Sequence, residues 1–113
     1  MRRGHAPERG DVVWLSFSPQ AGRERAGRRP ALVLTPAQFN RRVGLAFVCP
    51  VTSRVKGYPF EVALRGAADV SGVVLVDQLR GLDWRARRAE PAGKAPAPVM
   101  TEVLAKLRPL LGE

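Results

Sequence analysis

The feature that most limits the fold of this chain is the brevity of the links between its strand-like runs. Most are too short to carry crossover helices, which disfavours parallel β-α-β units and favours runs that turn back on one another as antiparallel neighbours. Asp11 to Phe17 alternates, with Val13, Leu15 and Phe17 on one face and Val12, Trp14 and Ser16 on the other. That period marks a strand. Ala31 to Thr35 is apolar on both faces and reads as a central strand. Pro36 suits the first turn of a short helix reaching about Arg42. Gly44 to Val51 is a third strand, closed by Pro50 and the turn-prone Thr52-Ser53. Phe60–Leu64 and Gly72–Asp77 are two more, and Trp84–Ala89 is a weaker, arginine-rich one.

From about Pro98 the period changes. Val99, Val103, Leu107 and Leu110 recur at spacings of 4, 4 and 3, one face of an amphipathic helix whose last turn Pro109 weakens. The pattern predicts a mainly β protein: a small, strongly bent antiparallel barrel with short helices and a C-terminal α-helix. With 113 residues there is material for one modest core. Residues 10–113 are expected to form that single domain and residues 1–9 a loose, flexible tail.

Composition narrows the partner. The formal charge is +9, which favours a polyanion and above all nucleic acid. Arginine outnumbers lysine sixteen to three amid abundant Ala, Gly and Pro, a balance that coding bias also produces, so the placement of the charge matters more than its sum. The single cysteine, Cys49, lies in an apolar run and reads as a buried small hydrophobe rather than a nucleophile. His5 is the only histidine. No His/Cys cluster has metal-ligand spacing, so neither metal nor cofactor is expected. No run approaches about 20 apolar residues, and no signal-peptide core is present. The expectation is a cytoplasmic protein with no membrane partner.

The charge concentrates in Gly22-Arg23-Glu24-Arg25-Ala26-Gly27-Arg28-Arg29-Pro30, read as the end of a loop running from Ser18 to Pro30. Alone, such a loop is most often a solvated surface, and Thr52 alone is most often a turn residue. Taken together, Glu24, Arg29 and Thr52 fit cleavage of a phosphodiester without a metal. RNA carries its own nucleophile in the 2′-hydroxyl. The protein need only remove that proton, stabilise charge at phosphorus and assist the departing 5′-oxygen. Arginine's planar fork matches phosphate oxygens, a threonine hydroxyl adds a donor, and a glutamate serves as base. Asp77-Gln78 either ends a strand structurally or meets a base. Arg80, Arg85, Arg87 and Arg88 form a second basic patch suited to phosphate contacts. Phosphate-binding P-loops, Gly-x-Ser-x-Gly elbows and paired-carboxylate metal sites are missing from the sequence.

At this point an ordered set of segments resembles the MazF/PemK toxins. It comprises Gly10-Asp11-Val12-Val13-Trp14-Leu15-Ser16-Phe17, the loop ending Gly27-Arg28-Arg29-Pro30-Ala31-Leu32-Val33-Leu34, Pro50-Val51-Thr52, Lys56-Gly57-Tyr58-Pro59-Phe60-Glu61-Val62, Asp77-Gln78 and Trp84-Arg85-Ala86-Arg87. The resemblance implies an SH3-like barrel and a metal-independent endoribonuclease toxin of a type II toxin–antitoxin pair. Such a toxin cuts single-stranded RNA at short sequences, leaves a 2′,3′-cyclic phosphate and a 5′-hydroxyl, and stops translation and growth. It further implies a homodimer and an acidic, MazE-like antitoxin that covers the RNA groove. By the same resemblance Arg29, Thr52 and Glu24 are catalytic. Ser53, Lys56 and Arg80 fall where the family contacts RNA, and Arg23, Arg25, Arg28 and Gln78 are expected from their charge or position to hold RNA with them. The extra arginines at 23, 25 and 28 depart from the usual family loop.

Two other readings stand beside this one. A gyrase-poisoning toxin of the CcdB type shares the barrel but has no use for the Arg29/Thr52 pair. A non-catalytic barrel that binds nucleic acid electrostatically predicts salt-sensitive binding without cleavage. A 6% aromatic content weakens any base-stacking platform.

Overall fold

The computed structural model describes residues 5–17, 27–67 and 70–113. Its elements are β1 (Asp11–Ser16), β2 (Arg28–Val33), α1 (Ala37–Val43), β3 (Ala46–Thr52), β4 (Glu61–Ala67), β5 (Val70–Leu75), a 3-10 turn (Val76–Gln78), β6 (Arg80–Leu82), β7 (Glu90–Lys94) and α2 (Ala97–Leu110). The strands form one sheet in the order β4-β5-β3-β2-β1-β7, with β6 also pairing to β3, and every pairing is antiparallel. The mainly β, strongly bent antiparallel architecture with a C-terminal helix is the one the strand periods predict.

The bend is built into β3. Along one edge it pairs with β2 from Val48 to Pro50. Along the other it is shared, with Ala46–Val48 on β6 and Val51–Thr52 on β5. Pro50 sits in β3 at the point where the second edge changes partner. A proline has no N–H to give a ladder and is tolerated where pairing is interrupted. The sheet therefore curls around two cores instead of lying flat over one.

Alternation distributes the strands between those cores. Val12, Leu32, Cys49, Val51, Val62 and Val74 join the larger one, which α2 closes with Val99, Val103 and Leu107. Val13, Leu15, Ala31, Val33, Ala46 and Val48 form the other with Leu82 and Trp84. Fully burying one such valine or leucine contributes roughly 1.5–3 kcal/mol. Leu110 does not extend the buried stripe of α2. It is 42% exposed, because the helix ends at that residue and its last turn runs past the sheet.

Two local expectations are corrected. Trp84–Ala89 is a turn, flanked by the strands β6 and β7. The Asp83 carboxylate accepts the backbone N–H groups of Arg85 (3.1 Å) and Ala86 (2.9 Å), and Arg88 adopts a positive φ of 55°. A short acidic side chain reaching its own downstream backbone competes with strand pairing. Likewise Arg28, Arg29 and Pro30 belong to β2, where they pair with Ser16, Leu15 and Trp14, and are not part of a loop.

The segment expected as a tail carries anchoring contacts at its inner end. Asn40, fully buried in α1, donates from Nδ2 to the Pro7 carbonyl (2.8 Å) and the Thr35 carbonyl (2.9 Å), and its Oδ1 accepts from the Thr35 hydroxyl (2.6 Å). The Asn40 carbonyl takes the Trp84 indole N–H at 2.8 Å. Glu8 caps α1 from outside, accepting the Ala37 N–H at 2.8 Å, since Pro36 provides no side-chain cap. That bond and a second from the Arg9 N–H hold the Glu8 carboxyl below its ordinary range.

Candidate functional site

Where β2 begins beside the end of β3, a cleft of about 510 Å³ opens between Arg29, Thr52, Ser53, Arg54 and Trp14. Its geometry follows from strand register. Ala31 pairs with Pro50, and carrying that antiparallel count on by two residues aligns Arg29 with Thr52. Arg29 is exposed and Thr52 half-buried. The Thr52 Oγ1 accepts the Arg54 backbone N–H at 3.1 Å. A hydroxyl has one hydrogen and two lone pairs, so this bond uses an acceptor position and leaves the O–H to donate into the cleft.

Behind Thr52 runs Gly72 of β5. A Cβ at residue 72 would lie 2.2 Å from the Thr52 carbonyl oxygen, and its φ of +125° is one that side-chain-bearing residues rarely adopt. This glycine lets β5 close against the backbone that presents Thr52.

A second, smaller hollow of about 160 Å³ adjoins the cleft and takes Lys56, Tyr58, Glu61 and Gln78 into its walls together with Thr52 and Arg54. Glu61 braces its rim, with Oε2 accepting the Lys56 N–H (3.0 Å) and Oε1 the Gly57 N–H (2.8 Å). The Tyr58 hydroxyl donates to Asp77 Oδ1 at 2.8 Å, and that bond to a carboxylate raises the phenol above its ordinary range. Asp77-Gln78 lies in the 3-10 turn after β5, so Asp77 steadies Tyr58 while Gln78 faces the hollow.

The residues singled out from sequence thus divide. Arg29, Thr52 and Ser53 share the cleft, and Lys56 and Gln78 share the adjoining hollow. Arg80 stands on β6 with its guanidinium 5.3 Å from the Phe17 ring centroid, a cation–π distance. Arg28 is directed elsewhere. It donates to Ser16 Oγ (3.1 Å), the carbonyls of Trp14 (3.3 Å) and Arg88 (2.9 Å), and Glu90 Oε1 (2.8 Å). Glu24, Arg23 and Arg25 lie outside the described residues. Cys49 is buried and free, its thiol pushed up to about 12 by desolvation and by the nearby Asp77 charge, a poor setting for a thiolate nucleophile.

Sequence reasoning missed Arg54, Gly72, Glu61 and Trp14 as parts of this site. Trp14 reads as one face of a strand, yet it is 38% exposed and forms a wall of the cleft. Thr52 itself signalled a turn, because threonine hydroxyls commonly bond the backbone just downstream. Nothing in the sequence signalled that Gly72 would press on Thr52.

The profile of the PemK-like, MazF-like toxins of type II toxin–antitoxin systems matches residues 8–111. The chain belongs to this family. It is 41% identical over 108 residues to the endoribonuclease toxin MazF of Escherichia coli K12, covering 96% of both chains. It is 41% identical over 117 residues to the endoribonuclease PemK of Escherichia coli, covering 98% of this chain and 86% of PemK. Among solved structures, MazF of Deinococcus radiodurans superposes with a TM-score of 0.86 at 60% identity, covering 96% of this chain and 99% of that one. A MazE–MazF complex from the same organism gives 0.85 at 56% identity over 96% and 97%. These named relatives are endoribonucleases.

Proposed function

We propose that this protein is a MazF/PemK-type endoribonuclease toxin that cuts single-stranded RNA in the cleft between β2 and β3. The observation that carries the reading is the presence of Arg29 and Thr52, from adjacent strands, in one open cleft. The 2′-hydroxyl attacks the neighbouring phosphorus as its proton passes to a base. The bond from phosphorus to the 5′-oxygen breaks, that oxygen takes up a proton, and the products are a 2′,3′-cyclic phosphate and a 5′-hydroxyl. Arg29 meets the charge that builds on the non-bridging oxygens, and Thr52 donates a further hydrogen bond to them. A fixed donor of this kind typically lowers the barrier by about 3 kcal/mol. Arginine is a donor-only cation that is not deprotonated in proteins, so Arg29 is an electrostatic group and not the base. The base assigned from the family resemblance is Glu24. No step requires a metal.

The same cationic groove suits an acidic, MazE-like antitoxin in place of RNA. The +9 charge supports that partner, as does the MazE–MazF complex in Deinococcus radiodurans. The toxin is read as a homodimer acting in the cytoplasm. No helix among the described residues is long and apolar enough to cross a membrane.

The test is digestion of long single-stranded RNA by purified, antitoxin-free protein in EDTA, with the new ends mapped. Cleavage to 2′,3′-cyclic ends that disappears with Arg29→Ala is the expected result. Folded wild-type protein that leaves the RNA intact overturns the reading, and gyrase-dependent DNA breaks in its place would favour a CcdB-type toxin.

A further inference from the structure

The cleft and the smaller hollow have two wall residues in common, Thr52 and Arg54. Thr52 is half-buried, and its hydroxyl oxygen is already engaged by the Arg54 N–H. Arg54 is exposed, and its guanidinium has no hydrogen-bond or ion-pair partner among the described residues, unlike Arg28 with its four. A polynucleotide with its scissile phosphate against Arg29 and a neighbouring nucleotide in the hollow must carry its backbone over this shared rim. Building on the ribonuclease reading, we propose that Arg54 is a substrate-binding residue that grips the phosphate next to the scissile one and holds the strand across both compartments.

The chemistry fits the position. The phosphodiester between the two compartments is a monoanion with two non-bridging oxygens, and a guanidinium can meet both at once. Glu61 also lines the hollow, and its carboxylate is occupied by the Lys56 and Gly57 N–H groups. Residue 54 acts through two separable parts. Its backbone N–H orients Thr52, and its side chain holds RNA. Arg54→Ala removes the second and keeps the first, so it isolates phosphate binding from the chemistry.

The experiment is steady-state cleavage of a short single-stranded RNA by wild type, Arg54→Ala, Arg54→Gln and Arg54→Lys across a salt series. Arg54→Ala and Arg54→Gln are expected to raise KM about tenfold while kcat stays within about twofold. The slope of log(kcat/KM) against log[salt] should become shallower by about 0.7, the value for one lost phosphate contact on a single strand. Arg54→Lys should keep the wild-type slope and recover part of the KM. An unchanged KM and slope in Arg54→Ala overturns the proposal, and so does a loss confined to kcat. Wild type that cuts while Arg54→Ala behaves identically sinks this inference alone, whereas wild type that never cuts sinks the ribonuclease reading beneath it.

Discussion

Arg28 and Arg29 are consecutive residues of β2 and serve opposite faces of the strand. Arg28 reaches across β1 to Glu90 at 2.8 Å, 62 residues away in sequence, while Arg29 enters the cleft beside Thr52. Successive strand side chains point to opposite faces, so two adjacent arginines of a basic segment are sorted into different tasks by backbone geometry.

Arg28→Ala should therefore weaken folding more than cleavage. The change removes an arginine whose side chain is only 15% exposed and takes a donor from two carbonyls, a hydroxyl and Glu90. Glu90 is 42% exposed, so solvent screening reduces the ion-pair share. The expected loss is about 1–2 kcal/mol in a urea melt, with kcat near wild type. A variant as stable as wild type but unable to cut would instead make Arg28 a substrate-binding residue.

Gly72→Ala should damage the site from behind. The added Cβ would press on the Thr52 carbonyl, and the main chain at φ +125° disfavours alanine as well. The expected cost is roughly 2–4 kcal/mol. At temperatures where the variant remains folded, kcat should fall, because displacing a reacting group by about 1 Å can cost on the order of 100-fold. Paired melting and single-turnover measurements check this. Normal stability and normal kcat together would show that β5 does not constrain Thr52.

Asn40→Ala should release the segment before β1. It removes the partner of two carbonyls and of the Thr35 hydroxyl at a fully buried position, with an expected loss of about 2–4 kcal/mol. Hydrogen exchange should rise in α1. Limited proteolysis should gain a cut near Pro7 before global unfolding begins. No added cleavage there would mean that Glu8 and its bond to Ala37 suffice to hold the segment.

Cys49 supplies the pH dependence. Its folded thiol titrates at about 12 against an ordinary value of 9.0. A raised folded value gives a contribution fully present below the unfolded pKa and lost as pH rises through the folded one. Stability should therefore decline between about pH 9 and 12, and Cys49→Ala should flatten that part of the profile. At neutral pH a thiol reagent should label the protein only in denaturant. Rapid labelling of the native state would contradict the burial.

Local periods were enough to read the antiparallel β class and the terminal helix, because alternation and 3.6-residue spacing are properties of neighbours along the chain, and Pro36 marked the short helix that follows it. The turn at Trp84–Ala89 was not legible that way, since Asp83 binding its own downstream backbone overrides an apolar-and-arginine pattern. Arg29 and Thr52 were legible as candidates, by residue type and by resemblance. Their meeting depended on register: Ala31 opposite Pro50 aligns residues 29 and 52, and a one-residue slip would have turned the side chains to the other face. The charge, the strand periods and the chemical types available to the cleft follow from the order of residues alone. Which arginine enters the cleft, which glycine backs Thr52 and where Arg54 stands at the join of two hollows depend on the fold, because those relations arise between strands that are distant in the chain and pressed together by the curl of the sheet.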